Sequence, residues 1–167
     1  MGKGILVIES AAVDRQNIKA WLEAAGHPVA AEANAEKGLA MALEGNFSAV
    51  VTGYQLPGKD GLQIVATLRQ QRPRLPTILA AKNASSELTI DAIKSGAFDF
   101  LTKPLDKMEL LAAVAQAVEA SLRMTQPVEL TADIHEDQDT LIGRSRAMQQ
   151  VYKDLARISP TPATVLI

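Results

Sequence analysis

Five short apolar runs, separated by stretches of helical period, dominate this 167-residue chain and restrict it to few folds. The runs are Gly4–Ile8 (GILVI), Pro28–Ala33 (PVAAEA), Ser48–Thr52 (SAVVT), Pro76–Ala81 (PTILAA) and Phe98–Thr102 (FDFLT). The first, third and fourth are almost uninterrupted in apolar residues, the pattern of strands buried on both faces. The stretches between them are long enough for helices. VDRQNIKAWLEAAG, for instance, is closed by Gly26, a residue suited to helix ends. Strand and helix in alternation imply right-handed crossovers and a mostly parallel sheet covered on both sides. In such sheets a site forms beyond the carboxyl ends of the strands, where chain order reverses. That rule selects Ile8–Ser10, Thr52–Gly53, Ala80–Lys82 and Thr102–Pro104.

The last helical stretch, Asp106 to about Met124, spaces Met108, Leu111, Ala115, Val118 and Leu122 in alternating steps of three and four. This is either the stripe that faces the core or the seam of a coiled-coil dimer contact. Residues 122–139 then carry one basic and five acidic side chains, against a formal charge of only −2 for the whole chain. They read as an acidic linker between a domain at 1–121 and a basic piece at 140–167. His135 lies in the linker near Asp133, Glu136 and Asp137. With no second nitrogen ligand at usable spacing, a solvated loop residue is expected there rather than a metal ligand. The tail offers a helix from about Ser145 to Ile158 and then the apolar run ATVLI. The absence of cysteine excludes disulfides and thiolate chemistry,. No apolar stretch is long enough to span a bilayer, and the charge gives no reason to expect direct nucleic-acid or membrane binding. A soluble, cytoplasmic protein is expected.

The strand ILVIE, the loop LPGKDG and the segment KSGAFDFLTKP, in this order and spacing, make residues 3–121 resemble a response-regulator receiver domain. The stretch from Thr140, with LIGRS..M..V and then TVLI, resembles the opening of the AAA+ domain of NtrC-type, sigma-54-dependent activators. The resemblance implies a five-stranded, doubly wound α/β sheet in the order 2-1-3-4-5. It also implies an AAA+ domain, sigma-54 RNA polymerase and a DNA-binding domain in a longer protein. The Gly-rich phosphate-binding loop is absent here, so ATP is expected only with a full AAA+ domain. No enzymatic activity is expected of this chain.

A receiver holds Mg²⁺ on an acid pair and a phosphoacceptor aspartate, and grips the phosphoryl group with a hydroxyl and a lysine. Carried over onto this sequence, the acid pair falls on Glu9 and Ser10, the nucleophile on Gly53, the hydroxyl on Ala81 and the lysine on Lys103. The switch aromatic falls on Phe100. Only Lys103 is intact, and Glu9 is the only acidic ligand position left. Mg²⁺ is therefore not expected, and a histidine-kinase partner is put in doubt. Asp60, in the DG turn, is expected to be structural. Glu9 and Lys103, taken to end neighbouring central strands, are expected to pair directly. The function implied is a phosphorylation-independent receiver that controls ATPase assembly through protein contacts. A homodimer using the Ala97–Pro104 face and the last helix would serve this. The alternatives are a phosphoacceptor with a displaced site, using Ser10, Thr52 or Tyr54, and a small-molecule sensor built around Gly53 and Ala81.

Overall fold

In a computed structural model, the structure describes residues 3–83 and 85–125. Strands β1 (Gly4–Ile8), β2 (Val29–Glu32), β3 (Phe47–Gly53), β4 (Thr77–Ala81) and β5 (Asp99–Thr102) form one sheet. They alternate with helices α1 (Ala12–Ala24), α2 (Ala35–Glu44), α3 (Gly61–Gln71), α4 (Ser86–Lys94) and α5 (Lys107–Thr125). Every strand pairing is parallel, and the order is β2-β1-β3-β4-β5, as the resemblance implied. Pro28, expected within the second strand, contributes only a carbonyl that accepts from the Ile5 amide at 2.8 Å. The acidic linker, His135 and the basic tail lie outside the described residues.

The helix boundaries follow from local chemistry. Asn34, Asp60 and Ser85 each accept a hydrogen bond from the amide three residues on, capping α2, α3 and α4,. Asp60 is thus structural, its carboxylate taking the Gln63 amide at 2.9 Å. Gly26, at φ +93°, ends the α1 connection with its amide on Glu23, and the His27 amide returns to Leu22,.

One core layer packs Ile5, Val7, Ala49, Val51 and Ile78 against Ile18 and Leu22 of α1 and against Leu110 and Val114 of α5. The opposite face of the sheet packs on α2, α3 and α4 through Leu39, Ile64, Leu68, Val65 and Ile93. β1 and β4 are buried along nearly their whole length, whereas every residue of edge strand β2 is half-buried. The core-facing stripe of α5 is Leu110, Ala113, Val114, Ala117 and Ser121. This corrects the stripe read from spacing. Met108 is 73% exposed and Leu122 56%, Ala115 is exposed, and Leu111 and Val118 lie half-buried at the margin. The 3-4 pattern thus runs along the edge of the buried face, with Leu111 and Val118 packed against the core and Met108, Ala115 and Leu122 exposed.

Candidate functional site

The carboxyl ends of β1, β3, β4 and β5 bring together the sequence-selected residues. Glu9 follows β1 and is only 2% exposed, because the sheet end and the Ala11 turn close over it. Its Oε1 accepts from the Ala11 amide at 3.0 Å. Its Oε2 accepts from Lys103 Nζ at 2.6 Å. The expected pair is formed, but its geometry differs from expectation. β1 and β5 are not neighbours, since β3 and β4 lie between them. The contact is possible because Gly53 and Ala81, which end the two intervening strands, put no bulk in the way.

Gly53 contributes space. A Cβ at this position would lie 2.6 Å from Glu9 Oε2 and 3.1 Å from its Cδ. The carboxylate of Glu9 therefore occupies the room that any side chain at position 53 would need. Gly61 leaves similarly little room on the loop side, where an added Cβ would fall against the Gly53 carbonyl.

Lys103 has a second partner that sequence reasoning missed. Asp14 Oδ2, in the first turn of α1, lies 3.0 Å from the same Nζ. The available signal was a lone acid one helical turn beyond the β1 end. Arg15 fixes the start of α1 by donating from Nη1 to the carbonyls of Glu9 (2.7 Å) and Ser10 (3.2 Å). Burial works against the charged form of Lys103. Hydrogen bonds and charge from Glu9 and Asp14 outweigh it and raise its pKa above the ordinary lysine value,.

Of the remaining candidates, Tyr54 is half-buried and borders a cleft beside Lys103, while the others are engaged or buried. Ser10 donates its hydroxyl to the Gln55 carbonyl at 3.2 Å. Thr52 is fully buried and donates to the Gly53 carbonyl. Ala81 and Phe100 are both buried and share one apolar cluster with Leu79 and Val65. Lys103 precedes Pro104 through a cis peptide bond.

The two carboxylates nearest the expected cation position, Glu9 and Asp14, both contact Lys103. A hard cation needs several oxygen ligands, and both carboxylates here are already engaged by an ammonium group. Among the described residues no cluster of three or more His, Cys, Asp or Glu is placed to hold a metal. The cleft between Glu9, Tyr54, Ala81 and Lys103 encloses about 90 Å³, well under the roughly 300–1,000 Å³ of typical small-molecule sites. No helix among the described residues is long and apolar enough to cross a membrane.

Comparison with known proteins agrees with this architecture. The chain is 33% identical over 165 residues to the DNA-binding transcriptional regulator NtrC of Azospirillum brasilense, covering 98% of this chain and 34% of that protein. It thus spans about a third of the length of the curated relatives it matches. Among solved structures, a response regulator receiver domain from Clostridium thermocellum superposes with a TM-score of 0.69 at 27% identity. That match covers 73% of this chain and 98% of the other. A CheY-like receiver domain from Methanospirillum hungatei gives a TM-score of 0.70 at 23% identity, covering 74% and 99%, a likeness of fold. The model of the response regulator receiver domain matches residues 5–115, which include Glu9, Gly53, Ala81 and Lys103, and so the chain belongs to the response regulator receiver domain family.

Proposed function

We propose that this chain is the receiver module of a sigma-54-dependent regulator, that it works without aspartyl phosphorylation, and that it governs assembly of the ATPase domain through protein contacts. One observation carries this reading: Glu9 fills the space of a side chain at position 53 while bonding Lys103 at 2.6 Å. The nucleophile's place and the phosphate-gripping lysine are taken up by one internal ion pair. Phosphoryl transfer to aspartate needs a carboxylate nucleophile and a cation to offset charge on the phosphoryl oxygens. Gly53 supplies no oxygen, and Lys103 is already neutralised by Glu9 and Asp14. The relatives extend well beyond the length of this chain, which is where ATP, sigma-54 polymerase and DNA contacts would reside. The α5 surface that carries exposed Met108, Ala115 and Leu122, with half-buried Leu111 and Val118 at its margin, is the one we assign to a second copy of the module. The cleft beside Ala81, where the ligand of a small-molecule sensor would sit, is only about 90 Å³, and the larger hollow next to it, lined by Ser10, Tyr54 and Asp60, is open to solvent. A displaced phosphoacceptor is disfavoured by the engaged Ser10 and buried Thr52 hydroxyls, and half-buried Tyr54 offers a phenol rather than the carboxylate an acyl phosphate needs.

Incubation with Mg²⁺ and a small acyl phosphate, followed by intact-mass measurement, tests the reading. The parent chain is expected to remain unmodified. Gly53→Asp is expected to stay poorly reactive too, because its carboxylate enters beside that of Glu9 with no second acid at Ser10. Rapid Mg²⁺-dependent phosphorylation of either protein would overturn the proposal.

A further inference from the structure

At the amino ends of the strands, away from Glu9 and Lys103, two clefts meet along Pro73 and Leu75. They have volumes of about 320 and 360 Å³. The first is bordered by Arg69, Lys94 and Met124, the second by Lys3, Arg74 and Ser121, and no Asp or Glu lines either. Arg72, also on the second cleft, is committed to the carbonyls of Ala42, Leu43 and Gly45 at 2.9–3.2 Å. Lys3, Arg69, Arg74 and Lys94 form no ion pair among the described residues. Arg69 is held in place by a specific feature of the α4–β5 turn. Gly96 sits at φ +106°, and a Cβ there would come within 2.7–2.8 Å of the aliphatic stem of Arg69. The absence of a side chain at Gly96 lets that stem lie flat across the turn. Between the cations the accessible lining includes exposed Pro73 and half-buried Phe47 and Phe98, over a buried layer of Leu75, Ile93 and Ala97. A concave surface that combines four cations with an apolar lining fits an acidic peptide carrying apolar side chains.

The chain itself supplies one at the right place. Ser121 and Met124 of α5 border the two clefts, so the polypeptide leaves the helix at their rim. Residues 126–139, QPVELTADIHEDQD, carry five acids, no Lys or Arg, and the apolar Val128, Leu130 and Ile134. Glu129 is five residues beyond Met124, a reach of up to about 18 Å at roughly 3.3–3.6 Å per residue. Asp133, Glu136 and Asp137 reach further. We propose that segment 126–139 of the same chain docks in these clefts. Its carboxylates would lie on Arg69, Arg74 and Lys94, and its apolar side chains on Phe47, Pro73 and Phe98. Docking of this kind ties the residues after Asp139 to the base of the sheet and sets where they depart. An anionic partner that competes for the same cations would release them. The control is electrostatic, and it is independent of the Glu9–Lys103 pair at the other end of the sheet.

The 167-residue chain has no cysteine, so Thr131→Cys accepts a single nitroxide spin label without removing an acid. The label is expected to broaden the amide resonances of Arg69, Thr77, Lys94 and Gly96 while sparing those of Ser10 and Gln55. The broadening should vanish in about 1 M NaCl, where the screening length falls to about 3 Å. It should vanish in the surface variant Arg69→Glu/Lys94→Glu and return when Glu129→Lys and Asp133→Lys are added to that variant. Absent or uniform broadening, or broadening indifferent to salt and charge reversal, would overturn the proposal. A labelled chain that broadens an unlabelled, isotope-enriched one would overturn it as well, because the occupant would then belong to a second copy.

Discussion

Lys103 sets the energetics of the site at the scale of single residues. Its side chain is 11% exposed and contacts two carboxylates, one of them on a glutamate only 3% exposed. Removing one member of a buried ion pair strands the other charge, at roughly 3–5 kcal/mol. Lys103→Met is therefore expected to destabilise the chain towards the lower end of that range, since Asp14 is partly solvated. Glu9→Gln should cost less, about 1–3 kcal/mol, because Asp14 still neutralises the ammonium. Urea unfolding of the two single variants and the double variant measures the coupling, and additive losses would contradict a direct interaction. The pH dependence follows from the raised pKa of Lys103. Folding favours its charged form, so this stabilisation is complete below the unfolded value of about 10.4. It is lost as pH rises through the higher folded value. The gap between parent and Lys103→Met should hold near pH 8 and narrow only above about pH 10. Narrowing near neutrality would show that another group carries the effect.

Helix α5 shows at the element scale where sequence periodicity stops deciding. Its LLAAVAQAV stretch offers two overlapping apolar stripes, and spacing alone does not choose between them. Leu110, fully buried, anchors the inner one, while Met108 lies on the outside at 73% exposure. Leu110→Ala is expected to cost about 2–5 kcal/mol. Met108→Glu should change stability by no more than about 0.5 kcal/mol and shift the mass seen by light scattering from dimer to monomer. Equal destabilisation by the two would return the core to the outer stripe, and an unchanged mass for Met108→Glu would remove α5 from the dimer contact. The central strands were easier to read. β1, β3 and β4 are buried on both faces, so their sequences are nearly continuous apolar runs. Edge strand β2 lacks that burial and proved shorter than its run. The contact of Glu9 with Lys103 was legible from charge and strand ends, although the strands are not neighbours. Asp14 was not, because its role depends on how the first turn of α1 folds back over β1.

At the scale of the molecule, the sheet presents one end where Lys103 is held by two carboxylates and an opposite, cationic end, and the first is where a response to divalent cations would arise. With Glu9 and Asp14 both on Lys103, only one negative charge is left over without a metal. The unfolding midpoint of the parent chain should accordingly be the same with Mg²⁺ as with a chelator. Rebuilding the family's pattern enlarges that surplus. Glu9→Asp, Ser10→Asp, Gly53→Asp and Ala81→Thr together place three acids at the strand ends, and with Asp14 four acids then surround one lysine. A carboxylate at 53 also forces a side chain into the space that Glu9 now fills, which the shorter aspartate at position 9 vacates. Like-charge crowding should lower the midpoint of this variant in chelator. A cation bound only by the folded state should then restore it, by about 2.7 kcal/mol at a hundred times the dissociation constant. Thermal unfolding of parent and variant with and without Mg²⁺ makes the comparison. Stabilisation of the parent by Mg²⁺ would show that Lys103 does not hold the cation's place, and a variant indifferent to Mg²⁺ would show that more than these four residues separates this pocket from a metal-binding one.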